Sequence, residues 1–316
     1  MKTKWFSWLS HPESLLSCLT LVMLGWIYKV DPTFLRWEVQ KELSTHIWET
    51  ALMALPMTLI ILTGGIDLSI GSTMSLCAIT AGMLHQHGVP LPMGCLAAAL
   101  VGLAGGWFNG WFITRLKVHP LIITLATMAA FRGIAEGVSQ ARPLSGFPKS
   151  FTWLGQASWL GIPLAGWLFL GCLALCAWVM HGHRLGRYIH AIGYNEVATR
   201  YSGIRVNRIL LGLYCLSGLS ASIAAILFMA RRNTAKADIG VGVELGVITA
   251  VVMGGVSIFG GRGSLFGVCL GLILIHETRE FVSWHWSRDE LNLLALGSLL
   301  ILSVVFQQLL GHKRSS

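Results

Sequence analysis

The stretch Thr63-Gly64-Gly65-Ile66-Asp67-Leu68-Ser69-Ile70-Gly71-Ser72 lies between two apolar runs, over about 43–63 and 70–86. Paired glycines interrupt a helix, because each costs about 1 kcal/mol relative to Ala in a helix interior. Each flanking run approaches the roughly 20 helical residues that cross a bilayer core, so the break is expected at or near membrane depth. Backbone groups freed there must be satisfied by protein or by a wet cavity. Asp67 carries the same requirement more sharply, since a carboxylate at the centre of a spanning helix costs roughly 2.5–3.5 kcal/mol on insertion scales. Its expected place is against protein, water or the N-terminus of the helix beginning near Ser69, where it would serve as an N-cap. Direct contact with a transported molecule is the functional alternative.

The rest of the chain resembles these flanks. Hydrophobic residues make up 54% of its 316 residues and charged residues 12%, against roughly 25% charged in a soluble domain. Apolar stretches recur at about 13–30, 43–63, 70–86, 93–114, 120–139, 161–180, 209–230, 245–259, 264–282 and 291–311. No long polar block separates them. The expected architecture is an all-α polytopic membrane protein of about ten transmembrane helices, some interrupted by glycine, in one domain over 1–316. The first run, preceded by Lys2 and Lys4, lacks a small-x-small cleavage site and is expected to be retained. The net charge of +9 fits basic residues on the cytoplasmic side and anionic lipid headgroups. The basic residues are scattered, so nucleic acid is not an expected partner. The seven cysteines all lie in apolar stretches without a CxxC pair, as small buried hydrophobes do.

Orientation follows from the short loops. A modest excess of Lys and Arg, including Lys2, Lys4, Arg115, Lys117, Arg184, Arg187 and Arg208, falls inside when both termini are cytoplasmic (N-in, C-in). The longest inside loop is then about 181–208. Within it Asn195-Glu196-Val197-Ala198-Thr199-Arg200-Tyr201-Ser202-Gly203 reads as a short helix, with Asn195 as N-cap, Glu196 in the first turn and Gly203 as the stop. Such a helix needs something to lie against, either lipid or a partner protein.

A second interruption, Gly254-Gly255-Val256-Ser257-Ile258-Phe259-Gly260-Gly261-Arg262-Gly263, stands in the other half. Paired breaks of this kind occur in transporter repeats, while a tight inter-helix turn is the plainer reading. No GxxxxGK[ST] occurs, so ATP-driven transport would need its ATPase on another polypeptide. Gly102/Gly106/Gly110, Gly267/Gly271 and Ala221/Ala225 have the spacing of close helix packing in lipid. Asn109 on the same run can supply an interhelical hydrogen bond. Arg132 and Glu136, four apart, are placed to neutralise each other. His85-x-His87 and His181-x-His183 read as loop histidines rather than metal ligands, and Glu277 and Glu280 with Arg279 as interfacial charges. No nucleophile–base arrangement is present, and a catalytic role is not expected.

Three motifs carry a resemblance over nearly the whole chain. Gly64-Gly65-Ile66-Asp67-Leu68-Ser69-Ile70-Gly71, Gly186-Arg187-Tyr188 through Asn195-Glu196-x-Ala198-x-Arg200-x-Ser202-Gly203-Ile204, and Val252-Met253-Gly254-Gly255 through Gly263 stand in that order. The chain resembles the membrane permease subunits of bacterial ABC importers for monosaccharides and related polyols: ribose, arabinose, xylose, rhamnose and autoinducer-2. The resemblance implies a homo- or heterodimeric channel in the bacterial inner membrane, with a periplasmic sugar-binding protein outside and a cytoplasmic ATPase subunit inside, where ATP and Mg2+ would bind. It implies no cofactor on this chain. By similarity Arg187, Asn195, Glu196, Arg200 and Gly203 are the residues expected to couple to the ATPase. Gly64, Gly65, Asp67, Ser69, Asn109, Gly254, Gly255, Gly260 and Gly261 are expected along the translocation path or as structural breaks. The stretch 276–287 is more polar and aromatic than the turn of ribose permeases, and Arg231–Glu244 is also distinctive. Both lean the resemblance toward a deoxysugar such as rhamnose, or autoinducer-2. A path that releases its cargo quickly would bind it weakly. The rival readings are an ion-coupled secondary transporter using Asp67, and a channel-like or scaffold protein without energy coupling.

Overall fold

The computed structural model describes residues 12–286 and 288–315; Lys2 and Lys4 lie outside them. Among the described residues there are 14 α-helices. These are α1 (Pro12–Val30), α2 (Trp37–Leu43), α3 (Trp48–Leu62), α4 (Ile70–Gln86), α5 (Leu91–Arg115), α6 (Pro120–Ser139), α7 (Lys149–Gln156), α8 (Leu164–Gly182), α9 (Arg184–Tyr194), α10 (Glu196–Tyr201), α11 (Val206–Arg232), α12 (Val243–Met253), α13 (Leu265–Trp286) and α14 (Asp289–Ser315). Four two-residue strands form two antiparallel pairs in the loops.

Helices cover all ten apolar stretches, yet their lengths differ. Among the described residues four are long and apolar enough to cross a membrane: α5, α6, α8 and α11. The stretch 43–63 is not one straight helix. A 3-10 turn at Ser44–His46 joins α2 to α3, and the pair, bent by 52°, gives a fifth candidate span if taken as one. The 11 residues of α12 rise only about 16 Å, roughly half of a hydrocarbon core. The chain is therefore all-helical and multi-pass, with several of its apolar helices too short to cross alone.

The bundle is built around α3, whose residues Ala51–Leu62 are all buried, as befits a helix that is apolar all round. It packs on α8, α11 and α12. The tightest pairing in the bundle is between α5 and α11. A Cβ at Gly102 would collide with Gly218 O, one at Gly106 with Tyr214 O, and one at Gly110 with Leu211. The small-residue spacing on α5 is thus the contact surface for α11. Gly267 and Gly271 do the same for α13, against Gly254 just after α12 and Ala250 within it.

After α11 the chain turns back into the bundle. Ala235 pairs with Leu144, Ala237 O accepts from Arg132, and Gly240 lies on Gly71 with no room for a Cβ. Arg132 also donates to Ser75 Oγ at 2.9 Å. Its guanidinium reaches across to α4 and to this returning segment, instead of pairing with Glu136 one turn along its own helix, because a buried carbonyl there needs a donor. Glu277 is likewise not an open interfacial charge. It is buried and accepts from Gln40 Nε2 at 3.3 Å, while Glu280 meets His46 Nδ1 at 3.2 Å, which ties α13 to the α2–α3 corner.

Candidate functional site

The first break begins where α3 runs out. Gly64 N bonds to Ile61 O and Gly65 N to Ile60 O, and Gly64 takes φ +81°, a conformation that needs glycine. A Cβ on Gly65 would stand 2.8 Å from Tyr214 Oη. The chain then runs without helix to Ser69, and α4 starts at Ile70. Asp67, 2% exposed, closes the gap. Its Oδ1 accepts from Ser69 N (3.0 Å) and Ser69 Oγ (2.6 Å), and its Oδ2 from Ser217 Oγ (2.6 Å). The carboxyl group reaches the amide just before α4 rather than those of the first turn, so it orders the approach to the helix instead of capping it in the usual register.

The network continues outward. Asn109 Nδ2 donates to Ser69 Oγ at 2.8 Å, and Asn109 Oδ1 accepts from Thr127 Oγ1 at 2.8 Å. Tyr214 Oη donates to Ile66 O at 3.3 Å. One connected set of buried polar groups thus fastens the break to α5, α6 and α11, and so answers the cost of polar groups in an apolar bundle.

The second break follows α12 and is ordered mainly by backbone. Gly255 N bonds to Val252 O, Val256 N to Val251 O, Ser257 N to Arg262 O and Gly260 N to Ser257 O. Gly255, Gly260 and Gly261 all have positive φ. Gly254 packs against Gly267 at the near end. At the far end Gly261 N donates to Leu62 O at 2.8 Å, using a carbonyl left over at the end of α3. The two breaks therefore touch. A Cβ on Gly260 would lie 3.0 Å from Gly64 N.

Beside this junction lies the 181–208 segment, which contains two helices and not one. On α9, Gly186, Ile189 and Ile192 are buried while Arg187 is exposed, and His183 Nδ1 accepts from Leu185 N at its start. After Asn195 the chain turns into α10. Asn195 Oδ1 accepts from Ala198 N at 2.9 Å, and Gly203 stops the helix at φ +82°. Arg200 pairs with Glu196 and donates to Asn207 Oδ1 at 2.8 Å. Asn207 Nδ2 in turn donates to Thr114 O at 3.2 Å. These bonds anchor α10 to the adjacent ends of α5 and α11. They leave Val197 and Tyr201, 63% and 89% exposed, on its open side.

The residues singled out by sequence thus fall into three groups. Asp67, Ser69 and Asn109 share one network. Gly64, Gly260 and Gly261 meet at the junction, with Gly65 beside it against Tyr214 and with Gly254 and Gly255 at the other end of the second break. Arg187, Asn195, Glu196, Arg200 and Gly203 lie along α9 and α10. Sequence reading missed Ser217, Thr127, His190 and Gly193. Ser217 had a signal, a small polar residue beside Gly218 on the same helix face as Tyr214 and Ser220. Thr127 and His190 had none without their neighbours. Among the described residues no group of three or more His, Cys, Asp or Glu is placed to hold a metal ion.

Residues 42–304 match the family of branched-chain amino acid transport system permease components. The chain is 36% identical over 269 residues to the autoinducer 2 import system permease protein LsrD of Escherichia coli K12, covering 83% of this chain and 82% of that one. The LsrD proteins of Shigella flexneri and of Escherichia coli O157:H7 match equally well. No solved structure matches. The chain belongs to this family of ABC-importer permeases. It is a membrane component of the inner membrane, and ATP hydrolysis is the task of an ATPase partner.

Proposed function

We propose that this permease forms half of the translocation path of an importer for autoinducer-2 or a similar small polyhydroxylated molecule such as rhamnose, working as a homo- or heterodimer. The substrate reading rests on the LsrD relatives, which are named for autoinducer 2 import. In this reading the whole chain, 1–316, is one domain of about ten membrane-embedded helices with both termini cytoplasmic. A periplasmic binding protein delivers cargo at the end of the bundle that carries α7. The ATPase docks at the opposite end, on α9 and α10, through the exposed face around Arg187, Val197 and Tyr201. Asn195, Glu196, Arg200 and Gly203 shape and fasten that face. The single observation that carries this assignment is the construction of α10: a capped, ion-paired, firmly anchored helix that keeps a tyrosine and a valine in the open. ATP-driven closure of the ATPase would move α10 and open the dimer interface to cargo.

The test is co-purification and uptake. The ATPase subunit should come down with the wild-type permease, and Glu196→Lys and Gly203→Asp should each weaken that association and autoinducer-2 uptake together. If both variants retain the ATPase and transport normally, α10 is not the docking element. The rival ion-coupled mechanism at Asp67 is disfavoured by geometry, because three donors already occupy its carboxyl group. It would require uptake that persists without ATP and collapses with an uncoupler.

A further inference from the structure

The docking face on α10 explains how force enters the permease and leaves open how it reaches the path. Directly before α10 in the chain stands α9, joined to it by Asn195 alone. The inner face of α9 is held tightly. Ile189 and Ile192 are 0% and 2% exposed. Near its end is Gly193, whose place admits no side chain: a Cβ there would fall on Leu62 O and Gly261 N, the two atoms that bond the first break to the second. One turn earlier, His190 Nδ1 lies 2.9 Å from Gly261 O. At the end of the helix, the Arg262 guanidinium stands 5.9 Å from the Tyr194 ring centre. A Cβ on Gly260 would meet both Gly193 Cα and Gly64 N at 3.0 Å.

From these contacts we infer that α9 is the transmission element of the permease, and that Gly193 and His190 are positioning residues which clamp both helix breaks to it. The inference rests on the reading of α10 as the ATPase docking helix, and extends it from where force is applied to where it is delivered. The physical basis is the closeness of the contact. Backbone packed on backbone without an intervening side chain has no rotamers in which to absorb a displacement. The contacts of α9 reach the end of α3 (Leu62) and the 260–262 loop, so a movement of α9 carries both breaks at once. The polar network of the first break then passes that movement to α5, α6 and α11. Gly193 is needed because any larger residue would drive α9 off the junction. His190 is needed because the Gly261 carbonyl would otherwise lose its donor.

The experiment uses the assembled importer with its ATPase subunit, in a cysteine-free background carrying Phe259→Cys, at an exposed position of the second break. Maleimide labelling of that cysteine is timed with and without ATP. In the parent, ATP should change the rate by roughly fivefold, the equivalent of a coupling energy of about 1 kcal/mol. Gly193→Ala should abolish the ATP-dependent change while the ATPase still co-purifies. His190→Ala should shrink it, and His190→Asn, which keeps a donor near the Nδ1 position, should restore it. The idea is overturned if the parent shows no ATP-dependent change, or if both Gly193→Ala and His190→Ala keep it. Should Gly193→Ala fail to assemble, the His190 pair decides alone, since neither change adds bulk. Loss of the ATPase from the parent complex would instead count against the docking assignment for α10, which is measured separately.

Discussion

The two helix breaks solve one problem by opposite means. Both leave backbone groups without helical partners inside an apolar bundle, and both use glycines at positive φ to turn the chain. The first fills its gap with side chains: Asp67, Ser69, Asn109, Ser217 and Thr127 hand hydrogen bonds from one helix to the next. The second fills its gap mainly with main chain and keeps neighbours close through glycines, with His190 reaching in to the Gly261 carbonyl. The first should therefore fail when polar atoms are taken away, and the second when carbon atoms are put in. A functional division follows as well. A break stitched to three helices resists local change and moves with them, whereas one held by backbone contacts depends on the position of whatever presses on it.

The largest effect is expected where α13 packs on the second break. At Gly267→Ala the new methyl would strike Gly254 O, a backbone atom that cannot rotate away. Overpacking of this kind costs about 3 kcal/mol, the upper part of its usual range, and is expected to abolish accumulation of extractable protein. If Gly267→Ala accumulates with unchanged thermal stability in detergent, the α12–α13 contact is looser than described. Next comes Asp67→Ala in the first break, which orphans the donors of Ser69 and Ser217. Leaving buried donors unmet costs about 1–3 kcal/mol. Asp67→Asn keeps an acceptor for Ser69 and should recover about half of that loss. An asparagine variant as damaged as the alanine one would mean that charge, and not hydrogen bonding, is what the site requires. A smaller effect, about 1 kcal/mol, is expected for Thr127→Val. It keeps the shape at the edge of the network and removes the donor to Asn109 Oδ1. If it matches Asp67→Ala, the network acts as one cooperative unit instead of fading with distance from the carboxyl group.

What could be read from sequence follows the range of the forces involved. The helix α10 was legible because its determinants are local: Asn195, Glu196 and Gly203 lie within nine residues and act on the backbone beside them. The packing stripe Gly102/Gly106/Gly110 was legible as a stripe, since small residues four apart share a helix face. Its partner α11 was not, because the face it presents, Leu211, Tyr214 and Gly218, mixes one small residue with two large ones. The helix α9 was hidden by its charge. Arg184, Arg187, His190 and the flanking histidines read as a solvated loop, while the three positions that bury it, Gly186, Ile189 and Ile192, are few enough to escape notice. The bend between α2 and α3 was missed because no proline or glycine marks it; its signal is the short polar stretch Ser44-Thr45-His46 at the start of the run. In the same way Arg132 was assigned the nearest carboxylate in sequence, when the group that decided its place was a carbonyl 105 residues away.

Glycine itself can be separated from glycine at a contact by a substitution expected to do very little harm. Gly171 lies within α8, and a Cβ there meets nothing within 4 Å. Its backbone is helical, so Ala fits without strain. The change should reduce the freedom of the unfolded chain and stabilise the helix by about 0.4–1 kcal/mol, read as a small rise in the thermal midpoint of the extracted protein with uptake unchanged. The chain has 36 glycines, and by composition Gly171 is indistinguishable from Gly267 or Gly193. If Gly171→Ala proves as damaging as Gly267→Ala, an unseen neighbour, such as the second permease subunit, must lie against α8 at that point. If it stabilises, the sensitivity of the second break belongs to its backbone contacts, and the contrast between the two breaks rests on where each glycine lies.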